Sequence, residues 1–233
     1  MIALREVRWA PRRDGAGPLL LDGFDLTLDT GHVTAILGPS GCGKSTLLRL
    51  LAGLRAPDSG TIEGLPARTA VVFQDAALLP WRSLRANVAL PGEFGPIGDV
   101  DAAIAAVGLT DHAHKLPRQL SGGQRMRGSL ARVLVARADL VLLDEAFGAL
   151  DGLTRAGVQD AFEALARAQG WTVVMVTHEP GDAARLADRI VLVDGPPLRV
   201  VGELQPTGTP VERLAAVQDA LARAWPRPAP VPA

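Results

Sequence analysis

Apolar and polar positions recur along this chain with two periods. Period-two runs cover Leu4 to Trp9 and Phe24-Asp25-Leu26-Thr27-Leu28, and they predict strands with one buried face. Val33 to Leu37 is mostly apolar and reads as a buried strand. Leu140-Val141-Leu142-Leu143 is a continuous apolar run that stops at two acids, as suits a central parallel strand. Further strands are expected at Gly60–Gly64, Thr69–Phe73, Thr172–Val176, Arg189–Val193 and Leu198–Val201. Helical spacing predicts helices over Lys44–Leu54, Arg125–Ala136, Thr154–Ala168, Pro180–Ala187 and Val211–Ala224. Strand signals lapse between about residues 80 and 120, where a short alanine-rich helix, Val100–Val107, sits among glycine and proline loops. This stretch is read as a small helical lobe. Pro11 to Pro18 reads as a polar turn with Arg12 and Arg13 in solvent. Alternating strands and helices predict an α/β protein with a mostly parallel sheet.

Composition narrows the class. The 233 residues are 48% hydrophobic and 21% charged, enough for a sizeable core. The net charge of −1 gives no reason to expect nucleic acid or an anionic membrane as a partner. No apolar run approaches the roughly 18 residues that span a bilayer. With Cys42 as the single cysteine, no disulfide can form within the chain. Trp225 to Ala233 holds four prolines and is expected to be disordered from residue 226.

Lysine usage points to chemistry. Lys44 is one of two lysines against 22 arginines, and it lies in Gly38-Pro39-Ser40-Gly41-Cys42-Gly43-Lys44-Ser45-Thr46. A loop wrapped around a phosphate chain accepts a compact ammonium but not a planar guanidinium fork. The spacing G-x-x-x-x-G-K-[ST], between a strand and a helix, is that of a phosphate-binding loop. Lys44 then reaches the terminal phosphates, Ser45 can hold magnesium, and the helix N-terminus faces the anion. Ser121-Gly122-Gly123-Gln124, just before another helix, offers a second anion site. Asp144 closes an apolar strand and suits magnesium; Glu145 suits a water. His178 follows Thr172 to Thr177, at the strand end where open α/β sheets bind ligands.

Together these residues resemble the ATP-binding cassette (ABC) family of transport ATPases, over most of the chain. Gly38 to Thr46 resembles its Walker A loop, Gln74 its Q-loop and Leu120 to Gln124 its signature motif. Leu143-Asp144-Glu145 resembles Walker B, Ala149-Leu150-Asp151 the D-loop, and His178 the switch histidine. Trp9 stands where family members place an adenine-stacking aromatic ring. Two positions depart from the pattern. Ala146 replaces a proline that would restrain Glu145. Gly128 sits in a helix interior, where glycine costs about 1 kcal/mol relative to alanine.

The resemblance implies a P-loop NTPase fold with a mostly parallel central sheet, an N-terminal antiparallel β subdomain and a small helical subdomain. It assigns residues 1–205 to the ATPase domain, with the helical subdomain inserted at about 80–135. Residues 206–225 form a C-terminal helix. It implies ATP and Mg2+ as cofactors. Lys44, Gln74, Glu145 and His178 would serve hydrolysis, and Ser45, Gln74 and Asp144 would surround the metal. Trp9, Gly38 to Thr46, Ser121 to Gln124 and Asp151 would hold nucleotide. Two copies would face each other head to tail, with Ser121 and Gly123 of one completing the site of the other. Transmembrane permease subunits and a substrate-binding protein are the implied partners, at the cytoplasmic face of the inner membrane. The segments Phe73–Trp81 and Phe147–Arg155 look like importers of nitrate, sulfonates and taurine, with importers of thiamine or its precursors as an alternative. A cassette ATPase acting on nucleic acid is the competing class, disfavoured by length and charge.

Overall fold

The structure, a computed structural model, describes residues 1–11 and 19–225. Arg12, Arg13 and the proline-rich segment 226–233 lie outside the described residues. Two sheets organise the rest. β1 (Ile2–Trp9) pairs antiparallel with β2 (Leu21–Leu28) and with β4 (Ser59–Glu63) in the order β2-β1-β4. The larger sheet has six strands: β3 (Val33–Leu37), β5 (Thr69–Phe73), β6 (Leu140–Asp144), β7 (Thr172–Thr177), β8 (Arg189–Asp194) and β9 (Arg199–Leu204). Their order is β5-β6-β7-β3-β8-β9, parallel throughout except for the antiparallel edge strand β9. The expected mostly parallel sheet and antiparallel N-terminal unit are both present.

Strand periodicity divides the core in two. Val141 and Leu143 face one side of the parallel sheet, Leu140 and Leu142 the other, and all four are fully buried. On the second side, α1 (Lys44–Leu51) lies between the two sheets, joining Leu4 and Leu26 to Leu142 and Val174. On the first side, α5 (Gly152–Gln169) presents Phe162 and Val158 to the sheet. Trp171 packs there too, its ring centroid 6.2 Å from that of Phe162. α6 (Pro180–Leu186) and α7 (Pro210–Ala224) complete this layer.

The lobe between β5 and β6 contains α2 (Leu84–Val88), α3 (Val100–Ala106) and α4 (Gly122–Val135), linked by short 3-10 turns. Leu84, Ile104, Met126 and Leu130 share one core cluster with Val141 and Phe162, so the apolar interior runs unbroken from sheet to lobe. α2 escaped the periodicity because it has five residues, too few for an apolar stripe. Asn87 organises it: its buried amide donates to the carbonyls of Leu79, Arg82 and Ser83, and its oxygen accepts from the Leu79 N–H at 2.6 Å.

Several expected boundaries move. α1 stops at Leu51, not Leu54, because Gly53 takes a left-handed φ of 68° after the cap. α4 begins at Gly122, three residues before Arg125. Trp81 is 72% exposed. Gly128 has a packing cause: a Cβ there would lie 2.6 Å from Leu84 Cδ1, so glycine lets α4 approach α2.

Gly128→Ala is therefore expected to destabilise the chain by about 1–3 kcal/mol, despite the better helix propensity of alanine. In a Leu84→Ala background the same change should cost less or turn stabilising. Urea unfolding of the four variants in that cycle measures the coupling.

Candidate nucleotide-binding site

The parallel ladder brings the separated motifs to one edge. Phe73 pairs in register with Asp144, Asp144 with Val176, and Leu37 with Thr177. Gln74, Asp144 and Glu145, His178 and the Gly38 loop thus emerge side by side from the carboxyl ends of β5, β6, β7 and β3.

The loop after β3 is shaped by close approach. A Cβ on Gly38 would lie 2.4 Å from the Val193 carbonyl oxygen, so no side chain fits beside β8. Gly43 has a φ of 115°, which turns the chain into α1. Lys44 is 4% exposed. Its Nζ donates to the Gly38 and Pro39 carbonyls, each at 2.7 Å. The loop therefore holds its own cation over a cleft of ≈ 190 Å³ lined by Ser40, Gly41, Gly43, Ser45 and Glu145. Leu20, which no motif indicated, lines the same cleft. Cys42 is buried beside Lys44, and burial pushes its thiol up from the ordinary range, as fits a packing role.

Ser45 Oγ donates to Asp144 Oδ1 at 3.0 Å. Burial, and secondarily the charge of Glu145, raises the Asp144 carboxyl, against the Ser45 hydrogen bond and the charges of Arg49 and Lys44. A cation at this pair would relieve that penalty. Among the described residues no cluster of three His, Cys, Asp or Glu side chains could hold a metal by itself. One hydroxyl and one carboxylate fit magnesium, which takes few protein ligands and fills its shell from phosphate and water.

Glu145 has a φ of 51°, unusual for a residue with a side chain, and its N–H donates to the Val176 carbonyl at 3.0 Å. Its Oε1 lies 3.3 Å from His178 Nδ1, while His178 Nε2 lies 3.6 Å from Glu179 Oε1. The Glu145 turn and the His178 turn therefore face each other. Gln74 is exposed next to Gly148. Trp9 is half-buried against the second core, with the Arg55 guanidinium 5.8 Å from its ring centroid.

The segment Ser121–Gln124 is not gathered with Lys44. A Cβ on Gly122 would sit 3.6 Å from Leu150, and one on Gly123 would sit 2.2 Å from Thr154 Cγ2, so the start of α4 rests on the start of α5. Ser121 Oγ accepts from the Gln124 N–H at 3.2 Å, and Gln124 Oε1 accepts from the Ser121 N–H at 2.9 Å. This capping box was legible in the Ser-x-x-Gln spacing and explains the earlier start of α4. The Gln124 amide also meets His112 Nε2 at 2.9 Å. Asp151 caps α5 by accepting from the Thr154 N–H at 3.1 Å, and bonds to Thr154 hold its carboxyl below the usual range. Within one copy, Ser121–Gln124 and the start of α5 with Asp151 form one group and the Gly38–Thr46 loop another.

Comparison with known proteins agrees with this geometry. Residues 21–148 match the family model described as ABC transporter. An aliphatic sulfonates import ATP-binding protein of Paraburkholderia xenovorans is 49% identical over 180 residues, covering 75% of this chain and 53% of that protein. One from Cupriavidus pinatubonensis is 47% identical, covering 83% of this chain and 66% of its own length. One from Agrobacterium fabrum is 46% identical, covering 76% and 71%. The chain thus spans roughly half to two thirds of the length of the first relatives it matches. A dimeric post-hydrolysis structure of an ATP-binding cassette bound to ADP and Pi superposes with a TM-score of 0.75 at 27% identity, covering 90% of this chain and 100% of that one. The match over residues 21–148 and these relatives, in keeping with the Gly38–Thr46 loop, the Ser45–Asp144 pair, Glu145 and His178 on one sheet edge, show that the chain belongs to the ABC transporter family.

Proposed function

We propose that this chain binds and hydrolyses ATP to drive import of a small solute, of the aliphatic sulfonate class, through a separate membrane permease. The observation that carries this reading is that Lys44, Ser45 and Glu145 line one cleft, with Asp144 bonded to Ser45 and His178 facing Glu145. Lys44 and the backbone N–H groups of Gly41 to Thr46 would hold the phosphates. Ser45, Asp144 and Gln74 would hold magnesium, which neutralises charge on the phosphates and orients them. Glu145 would orient the attacking water, with His178 fixing the far side of the terminal phosphate.

The separation of Ser121–Gln124 from Lys44 supports a site shared between two copies. A helix N-terminus held away from its own phosphate loop is free to cap that of a second copy. Trp81 and Phe94, 72% and 85% exposed, give the helical lobe an apolar surface suited to the permease. No helix among the described residues is long and apolar enough to cross a membrane, so attachment to the cytoplasmic face would run through that partner. A substrate-binding protein would deliver the solute. The sulfonate class follows from the names of the relatives, since the cassette itself would not touch the solute. Deleting the gene should abolish growth on an alkanesulfonate as sole sulfur source and spare growth on sulfate. Normal growth on the sulfonate would refute that substrate class.

Lys44→Ala is expected to abolish ATP binding, and Glu145→Gln to retain binding while slowing hydrolysis by about 100-fold or more. Radiolabelled-ATP binding and phosphate release measure the two; near-normal turnover of Glu145→Gln would remove Glu145 from its role. Trp9→Ala should weaken ATP binding about five-fold or more if the ring stacks on adenine. Unchanged affinity would leave Trp9 a packing residue. Asp144→Asn should lose magnesium-dependent turnover yet melt no lower than the wild type without nucleotide, because the amide removes the burial penalty on the carboxylate. A lower melting temperature by calorimetry would contradict that account of Asp144.

A further inference from the structure

A side chain given no role above joins the turn carrying Glu145 to the turn carrying His178. Arg155, near the start of α5, directs its Nη2 to the carbonyls of Gly148 and Leu150, each at 3.4 Å. Its Nη1 lies 3.8 Å from Asp182 Oδ1. Asp182, in the first turn of α6 and 5% exposed, also accepts from Gln159 Nε2 at 2.8 Å. Backbone bonds carry both ends to the site. The Gly148 N–H donates to the Glu145 carbonyl at 3.0 Å, and the Ala183 N–H donates to that of Glu179, beside His178, at 3.3 Å.

Two details bear on what this guanidinium does. All three of its contacts are long, and its Nε is shielded from solvent with no hydrogen-bond partner among the described residues. Gln159 already gives Asp182 a short bond, so a smaller uncharged residue at 155 would avoid the cost of partly burying a charge. What only a planar fork supplies is simultaneous reach to two carbonyls of one turn and a carboxylate of α6. The need is local. Glu145 has positive φ, and the buried Ala146 after it lacks the ring of a proline, so the turn depends on bonds from outside. Burial raises the Asp182 carboxyl while Gln159 and Arg155 oppose that, consistent with a carboxylate held in place by its neighbours.

We propose that Arg155 is a positioning residue for hydrolysis, tying the segment 145–151 to Asp182 so that Glu145 and His178 keep one mutual geometry. This rests on the hydrolytic reading of those two residues. The tie itself is tested on the full chain by amide hydrogen exchange in wild type, Arg155→Gln, Asp182→Asn and the double variant. Exchange should rise about ten-fold in both 146–151 and 178–182 for either single change, and the double should exceed the larger single by little. Faster exchange confined to the first turn of α5, or additive effects, would overturn the tie. Arg155→Lys, which keeps charge without the fork, should loosen the same two segments and covers a failure of Arg155→Gln to fold. In ATP turnover, kcat should fall about ten-fold or more in Arg155→Lys with KM for ATP within about two-fold of wild type. A raised KM with unchanged kcat would overturn the positioning role. A wild-type chain without ATP binding would instead sink the ATPase reading, leaving the exchange result to judge the tie.

Discussion

Everything at the candidate site hangs from the in-register parallel pairing of β5, β6, β7 and β3. Parallel strands end at the same level, so residues far apart in sequence come to one line because the backbone hydrogen bonds fix their register. A shift by one residue would turn Asp144 to the opposite face of its strand and carry Ser45 out of reach. The buried apolar strands β6 and β7 make such a slip costly, since both faces of the sheet are packed. Core packing and catalytic geometry are thus one constraint.

Around that line, the structure accepts local penalties. Glu145 adopts a left-handed backbone, the Asp144 carboxylate is half-buried, and Lys44 is almost wholly buried with its ammonium bonded to the Gly38 and Pro39 carbonyls. Each lies where a polyphosphate and a divalent cation would act on it: phosphate oxygens would compete with carbonyls for Lys44, and the metal would offset the burial of Asp144. The same residues would be poor choices in a protein selected for stability alone. Such penalties gathered in one cleft are expected of a site built to bind charge.

The strongly patterned elements were legible from sequence. Leu140 to Leu143 and Thr172 to Val176 could only be buried strands, and the glycine loop between a strand and a helix announced phosphate chemistry. The short and locally determined pieces were less so. α2 has too few residues for a period, and its anchor Asn87 acts through three carbonyls that only the fold brings near. Gly128 looked like a defect in a helix until the distance from Leu84 supplied its cause. Arg155 and Asp182 gave no sign of their pairing, being 27 residues apart on separate helices in a chain rich in arginine.

The sequence by itself determined which chemical groups are present and on which kind of element each sits. Hydrophobic period and motif spacing are local properties, and they suffice for a phosphate loop, a carboxylate pair at a strand end and a histidine at another. Strand order was decided only by the tertiary structure, because it depends on which apolar faces pack together across the chain. That order puts β7 between β6 and β3 and so sets His178 beside Glu145. It also holds the capped start of α4 against α5, apart from Lys44, because glycine at 123 is all that fits beneath Thr154.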